Sequence, residues 1–85
     1  MTKNDVIKVM RDFVVQKLFR GEAPADFTND TPLISSRLLD SIVVLSLVAH
    51  LESSLNIEIE AHEVSADNLD TINKTADFLS QKSAK

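Results

Sequence analysis

Leu38-Leu39-Asp40-Ser41-Ile42 is where a polar loop gives way to an apolar helix, and it sets one serine between an acid and an aliphatic residue. Asp40 suits the N-cap, because its carboxylate can accept hydrogen bonds from the unpaired amides of a first helical turn. Ser41 then stands near the positive end of the helix dipole, where an attached phosphate is favoured by roughly 0.3–1 kcal/mol. No neighbouring residue supplies the base that a nucleophilic serine needs. Ser41 therefore reads as a residue to be modified rather than one that catalyses. The plainer alternative is a helix-start serine that only helps Asp40 cap the amides.

Downstream, the spacing predicts a helix from about Ser41 to Leu55. Its apolar arc is too wide for one buried face. Val44, Leu47, Val48, Leu51 and Leu55 follow the core spacing, while Ile42, Leu45 and Ala49 form a second stripe beside them. Ser46, His50 and Ser53 lie on the polar side. Either the helix is buried on two sides, or the second stripe is a partner-binding strip that begins next to Ser41.

Upstream, the only glycine, Gly21, and both prolines, Pro24 and Pro32, mark the break that follows a first helix. In that helix Val6, Ile7, Met10, Phe13, Val14, Lys17 and Leu18 fall largely on one face. Asn4 or Asp5 is the expected cap, and Phe19-Arg20-Gly21 the expected end, with glycine in left-handed geometry. Residues 21–40 make a long loop that Phe27, Leu33, Ile34, Leu38 and Leu39 are expected to pin over the core. Ordered loops of this length are often functional.

Beyond Leu55, Asn56-Ile57-Glu58-Ile59-Glu60 alternates without an obvious strand partner, and reads as an extended connector whose isoleucines enter the core. A short helix is expected around Ser65 to Leu69, with Ser65 or Asp67 near its start. Thr71 is placed to cap a last helix bearing Ile72, Ala76, Phe78 and Leu79, before a frayed Lys82–Lys85 tail. Together these elements predict an all-α fold: three long helices plus one short helix, with the long loop between the first and second. The 85 residues are read as one domain, 1–85. Four phenylalanines with no tryptophan or tyrosine leave an aliphatic core, which favours a compact helical bundle over a β-sandwich.

Composition narrows the function classes. At 44% hydrophobic and 26% charged the chain is globular rather than disordered. A net charge of -4 argues against nucleic acid and against an anionic membrane surface, and suggests partners with basic patches. With no cysteine, any thiol chemistry must be imported on a prosthetic group. The Met1-Thr2-Lys3-Asn4-Asp5 start has no signal-like apolar run, so the cytoplasm is the expected location and a monomer the expected state. His50 lies nine residues beyond Ser41, about 13 Å along the helix axis, too far for a hydrogen bond, and no nucleophile-elbow glycines flank Ser41. Intrinsic catalysis is not expected. The two histidines lack ligand spacing, and Asp67, Asp70 and Asp77 lack a calcium-loop pattern, so no metal site is expected. Glu52, Glu58, Glu60 and Glu63 read as a solvated face that can also guide a basic partner.

The run from Thr31 to Ile42, followed by Leu51-Glu52, Ile57-Glu58-Ile59 and Asn68-Leu69-Asp70-Thr71-Ile72, resembles the acyl carrier protein family over nearly the whole chain. The match centres on Asp40-Ser41-Ile42, which stands where that family has its attachment motif. The resemblance implies an antiparallel helical bundle and a 4′-phosphopantetheine joined to Ser41, with Asp40 and Ile42 flanking it. It also implies a phosphopantetheinyl transferase drawing on coenzyme A, an acyl- or aminoacyl-loading enzyme, and downstream synthase or transferase enzymes. Partner contacts are expected at Ile42, Leu45 and Ala49, with Glu52 at the rim. Two departures stand out. Arg37 occupies a place near which the family often has glycine. Ile42, Val43, Val44 and Leu45, then Ser46, stand where carriers of fatty acid synthesis are strongly acidic. Thr31-Pro32-Leu33-Ile34-Ser35-Ser36 looks more like stand-alone carriers of polyketide, nonribosomal peptide or other specialised pathways. A carrier of primary fatty acid synthesis and an unmodified helical adaptor remain the alternatives.

Overall fold

The computed structural model describes residues 2–83, and all regular structure among them is helical. Helix α1 spans Lys3–Phe19, α2 Ser41–Leu55, α3 Ala66–Leu69 and α4 Ile72–Ser83, with a 3-10 turn at Ala61–Glu63. Helix α1 packs against both α2 and α4, and α3 packs against α4.

The cap of α1 is Thr2, not Asn4 or Asp5. The Thr2 hydroxyl accepts from the Asp5 amide at 3.2 Å, and the Asp5 carboxylate accepts from the Thr2 amide at 3.0 Å. This reciprocal pair satisfies two donors at once, which a lone cap further along would not. At the far end Arg20 takes the left-handed cap conformation, with φ 53°, and Gly21 follows at φ 91°. Val6, Met10 and Val14 are fully buried, with Ile7, Phe13 and Leu18 packed beside them. Lys17 leaves that face: it is exposed, its ammonium 5.8 Å from the centre of the Phe13 ring.

In α2 the core stripe forms as expected: Val44, Leu47, Val48 and Leu51 are buried and Leu55 is partly so. Asn56 ends the helix in the left-handed region at φ 54°. The connector then runs without regular structure, burying Ile59 and half-burying Ile57. Glu52 Oε2 accepts the Ile59 amide at 2.9 Å, so this acid fastens the connector to the helix it follows. The 3-10 turn was not expected. Glu63 explains it, accepting the Glu60 amide at 2.8 Å and pairing with Lys82 of α4. Glu63 is thus tied into the fold rather than left on a solvated face. Donation by Lys82 and by the Glu60 amide holds its carboxyl below the usual carboxylate value.

Helix α3 is a single turn with Leu69 fully buried; Ser65 precedes it but makes no side-chain cap bond. Thr71 does cap α4, its hydroxyl accepting the Lys74 amide at 2.9 Å. Ile72, Ala76 and Leu79 of α4 close the core, with Phe78 packed at its edge. Helix α4 continues through Lys82, which is anchored to Glu63 rather than frayed. The remainder of the expected tail, residues 84–85, lies outside the described residues. No helix among the described residues is long and apolar enough to cross a membrane.

Candidate functional site

The long loop is held by its apolar residues and by hydrogen bonds from α1 and α4. Phe27, Leu33 and Leu39 are buried and Ile34 is partly buried, as expected. Leu38 is the exception, at 43% exposed, where it borders a surface cavity lined also by Phe19, Pro24 and Phe27. Arg11 of α1 donates to the Asn29 side chain at 2.8 Å and lies over the Phe27 ring. Asn73 of α4 donates its amide to the Asn29 carbonyl at 3.0 Å and its side chain to Asp30 at 2.7 Å.

Closer to Ser41, the loop is gripped by Asp70, at the end of α3. The Asp70 carbonyl accepts the Leu33 amide at 2.7 Å. Its Oδ1 accepts the Ile34 and Ser35 amides, both at 2.8 Å, and its Oδ2 accepts the Ser35 hydroxyl at 2.8 Å. Desolvation pushes the Asp70 carboxyl upward, but the donors from Ser35, Ile34 and Leu33 prevail and hold its pKa below the ordinary value. In the sequence Asp70 is one more acid after a short helix. Only the folded chain brings it to residues 33–35.

Arg37 then turns the chain at φ 65°, where glycine carries no Cβ penalty. The position near which carriers often have glycine is left-handed in this chain and is occupied by arginine. Arg37→Gly should stabilise the fold by about 0.5–1 kcal/mol, read as a rise of a few degrees in Tm. An unchanged or lower Tm would show that the arginine side chain contributes what the backbone loses.

The chain next meets Leu39, whose amide donates to the Leu33 carbonyl at 2.9 Å, and then Asp40. Asp40 Oδ1 accepts the Val43 amide at 2.8 Å, so the cap expected from sequence is formed. Ser41 is the first residue of α2 and is exposed, and its hydroxyl has no hydrogen-bond partner among the described residues. Asp40 serves the third amide of the turn; the Ser41 and Ile42 amides have no acceptor among the described residues. Beside the serine, Ile42 is 75% and Leu45 66% exposed, and Ala49 is exposed one turn further on. The second stripe is thus bare on this chain and not a second buried face. Glu52, half-buried, is the single acid of α2 and already holds Ile59 through one oxygen.

Neither histidine serves Ser41. His50 stacks on Phe13 of α1 with ring centres 5.1 Å apart and lies 3.4 Å from the Ser54 hydroxyl, while His62 sits exposed in the 3-10 turn. Among the described residues no group of three or more His, Cys, Asp or Glu side chains is placed to hold a metal ion.

Compared with known families, residues 15–79 match the family model described as a phosphopantetheine attachment site. The chain belongs to the phosphopantetheine attachment-site family. It is accordingly a carrier for 4′-phosphopantetheine. Membership implies recognition by a phosphopantetheinyl transferase and by acyl-handling enzymes in general. No curated protein and no solved structure matches the chain.

The residues present fit the phosphopantetheine group. The Ser41 hydroxyl is exposed, neither it nor the Ser41 and Ile42 amides has a hydrogen-bond partner among the described residues, and the helix dipole favours a phosphodiester there. The neutral, apolar surface of Ile42 and Leu45 adds no carboxylate against that anion. Asp40, the nearest acid, is directed at the Val43 amide.

Proposed function

We propose that Ser41 carries the phosphopantetheine arm, and that the protein presents an acyl or aminoacyl group to enzymes of a specialised pathway such as polyketide or nonribosomal peptide assembly. The observation that carries this reading is the exposed hydroxyl at the first position of α2, without a partner among the described residues and next to a bare apolar strip. In the loading step Ser41 Oγ forms a new bond to phosphorus while the phosphoanhydride bond of coenzyme A breaks. The adenosine bisphosphate half leaves, and the hydroxyl proton passes to a base on the transferase, since neither histidine of this chain is hydrogen-bonded to Ser41. When bound, the arm supplies a terminal thiol for thioester chemistry that this cysteine-free chain lacks.

Ile42, Leu45 and Ala49 are the proposed centre of the partner contact, with the second carboxylate oxygen of Glu52 at its rim. The uncharged first turns of α2 beyond Ser41, from Ile42 to Leu51, favour a specialised partner over the basic grip that suits the acidic second helix of fatty acid carriers. Incubation with coenzyme A and a broad-specificity phosphopantetheinyl transferase should add the mass of one phosphopantetheine to the intact chain. An unchanged mass would favour the unmodified adaptor instead.

A further inference from the structure

We infer that Asp70 is a positioning residue for the loading of Ser41: through residues 33–39 it fixes where the first turn of α2 lies. This rests on the reading of Ser41 as the attachment residue and extends it to a side chain that never touches the reacting atoms.

The path is short and every link is a hydrogen bond or a buried side chain. Asp70 takes the Leu33, Ile34 and Ser35 amides and the Ser35 hydroxyl on its three oxygens. Leu33, fully buried, passes the constraint on by accepting the Leu39 amide at 2.9 Å. Leu39, itself 3% exposed, is followed directly by the Asp40 cap and Ser41. Within this closed segment the Arg37 amide donates to the Ile34 carbonyl at 3.0 Å and the Ser36 hydroxyl to the Pro32 carbonyl at 2.6 Å. These bonds tie residues 32–39 into one hydrogen-bonded unit.

The far end of the grip is equally fixed. Thr71, the next residue, is buried and caps α4. The corner between α3 and α4 thus acts as the reference point from which the serine is placed. A carboxylate suits the task because it only accepts, and here three donors converge on its two oxygens. An asparagine retains an oxygen for the Ile34 and Ser35 amides, and its NH2 can donate to the Ser35 hydroxyl. An alanine leaves all three donors without their partner.

The experiment compares wild type, Asp70→Ala, Asp70→Asn and Ser35→Ala as substrates of a broad-specificity transferase with coenzyme A. Hydrogen exchange of the Ile34 and Ser35 amides is followed in the same samples. Asp70→Ala should lose protection at both amides and lower kcat by about ten- to a hundredfold, as a displaced reacting group does. KM should change little, because Ile42 and Leu45 remain on an intact α2. Asp70→Asn should recover most of kcat, and Ser35→Ala should fall between Asp70→Asn and Asp70→Ala. Normal kcat in a folded Asp70→Ala chain with unprotected amides would overturn the inference. Should Asp70→Ala fail to fold, Ser35→Ala decides: wild-type kcat with faster exchange at Ser35 overturns it as well. A wild-type chain that accepts no group at all refutes the attachment reading, and this inference with it.

Discussion

Ser41→Ala is expected to abolish phosphopantetheine transfer completely while leaving the fold as it is. The hydroxyl holds nothing in place among the described residues, and the cap that starts α2 belongs to Asp40. Alanine is at least as good a helix former at this position, so stability should stay within about 0.5 kcal/mol, the usual range for exposed sites. Intact mass after transferase treatment and thermal unfolding of the same variant check both halves. A variant that still gains the group places the attachment elsewhere. One that unfolds gives the serine a structural role that its exposure does not suggest.

Leu51→Ala should cost about 2–5 kcal/mol of stability. Leu51 is fully buried in the stripe that faces the core, and in a domain stable by roughly 5–15 kcal/mol such a loss is severe. Ile42→Ala removes a similar apolar side chain from a residue that is 75% exposed, and should cost no more than about 0.5 kcal/mol. Denaturant unfolding of the two variants measures the difference. Comparable losses would contradict the division of α2 into a core face and an open one.

That division explains how much of the molecule could be read in advance. Helix α2 was legible at both ends, because Asp40 announces its start and the apolar spacing runs out at Leu55. Periodicity also separated Val44, Leu47, Val48 and Leu51 from Ile42, Leu45 and Ala49. It could not say whether the second group was covered, since that depends on what packs beside it. The cap at Thr2 was missed because the signal is a pair of residues three apart, with Asp5 answering a threonine.

The interactions that place the site were the least legible. Asp70 meets Ile34 across 36 positions and Asn73 meets Asp30 across 43, and neither spacing leaves a mark in local composition. Four acids that look alike in sequence, Glu52, Glu58, Glu60 and Glu63, also part company in the fold. Glu52 holds the connector and Glu63 holds α4, whereas Glu58 and Glu60 are exposed. Arg37 shows the converse: sequence marked the position as unusual, and its positive φ supplies the backbone reason.

The function of this chain turns above all on which oxygen becomes esterified. Fragmentation mass spectrometry of the chain after treatment with coenzyme A and a broad-specificity transferase answers this directly. A single phosphopantetheine, carried by Ser41 alone, is the expected result. Recovery of the group on Ser35, Ser36 or Ser46, with Ser41 unmodified, would contradict it.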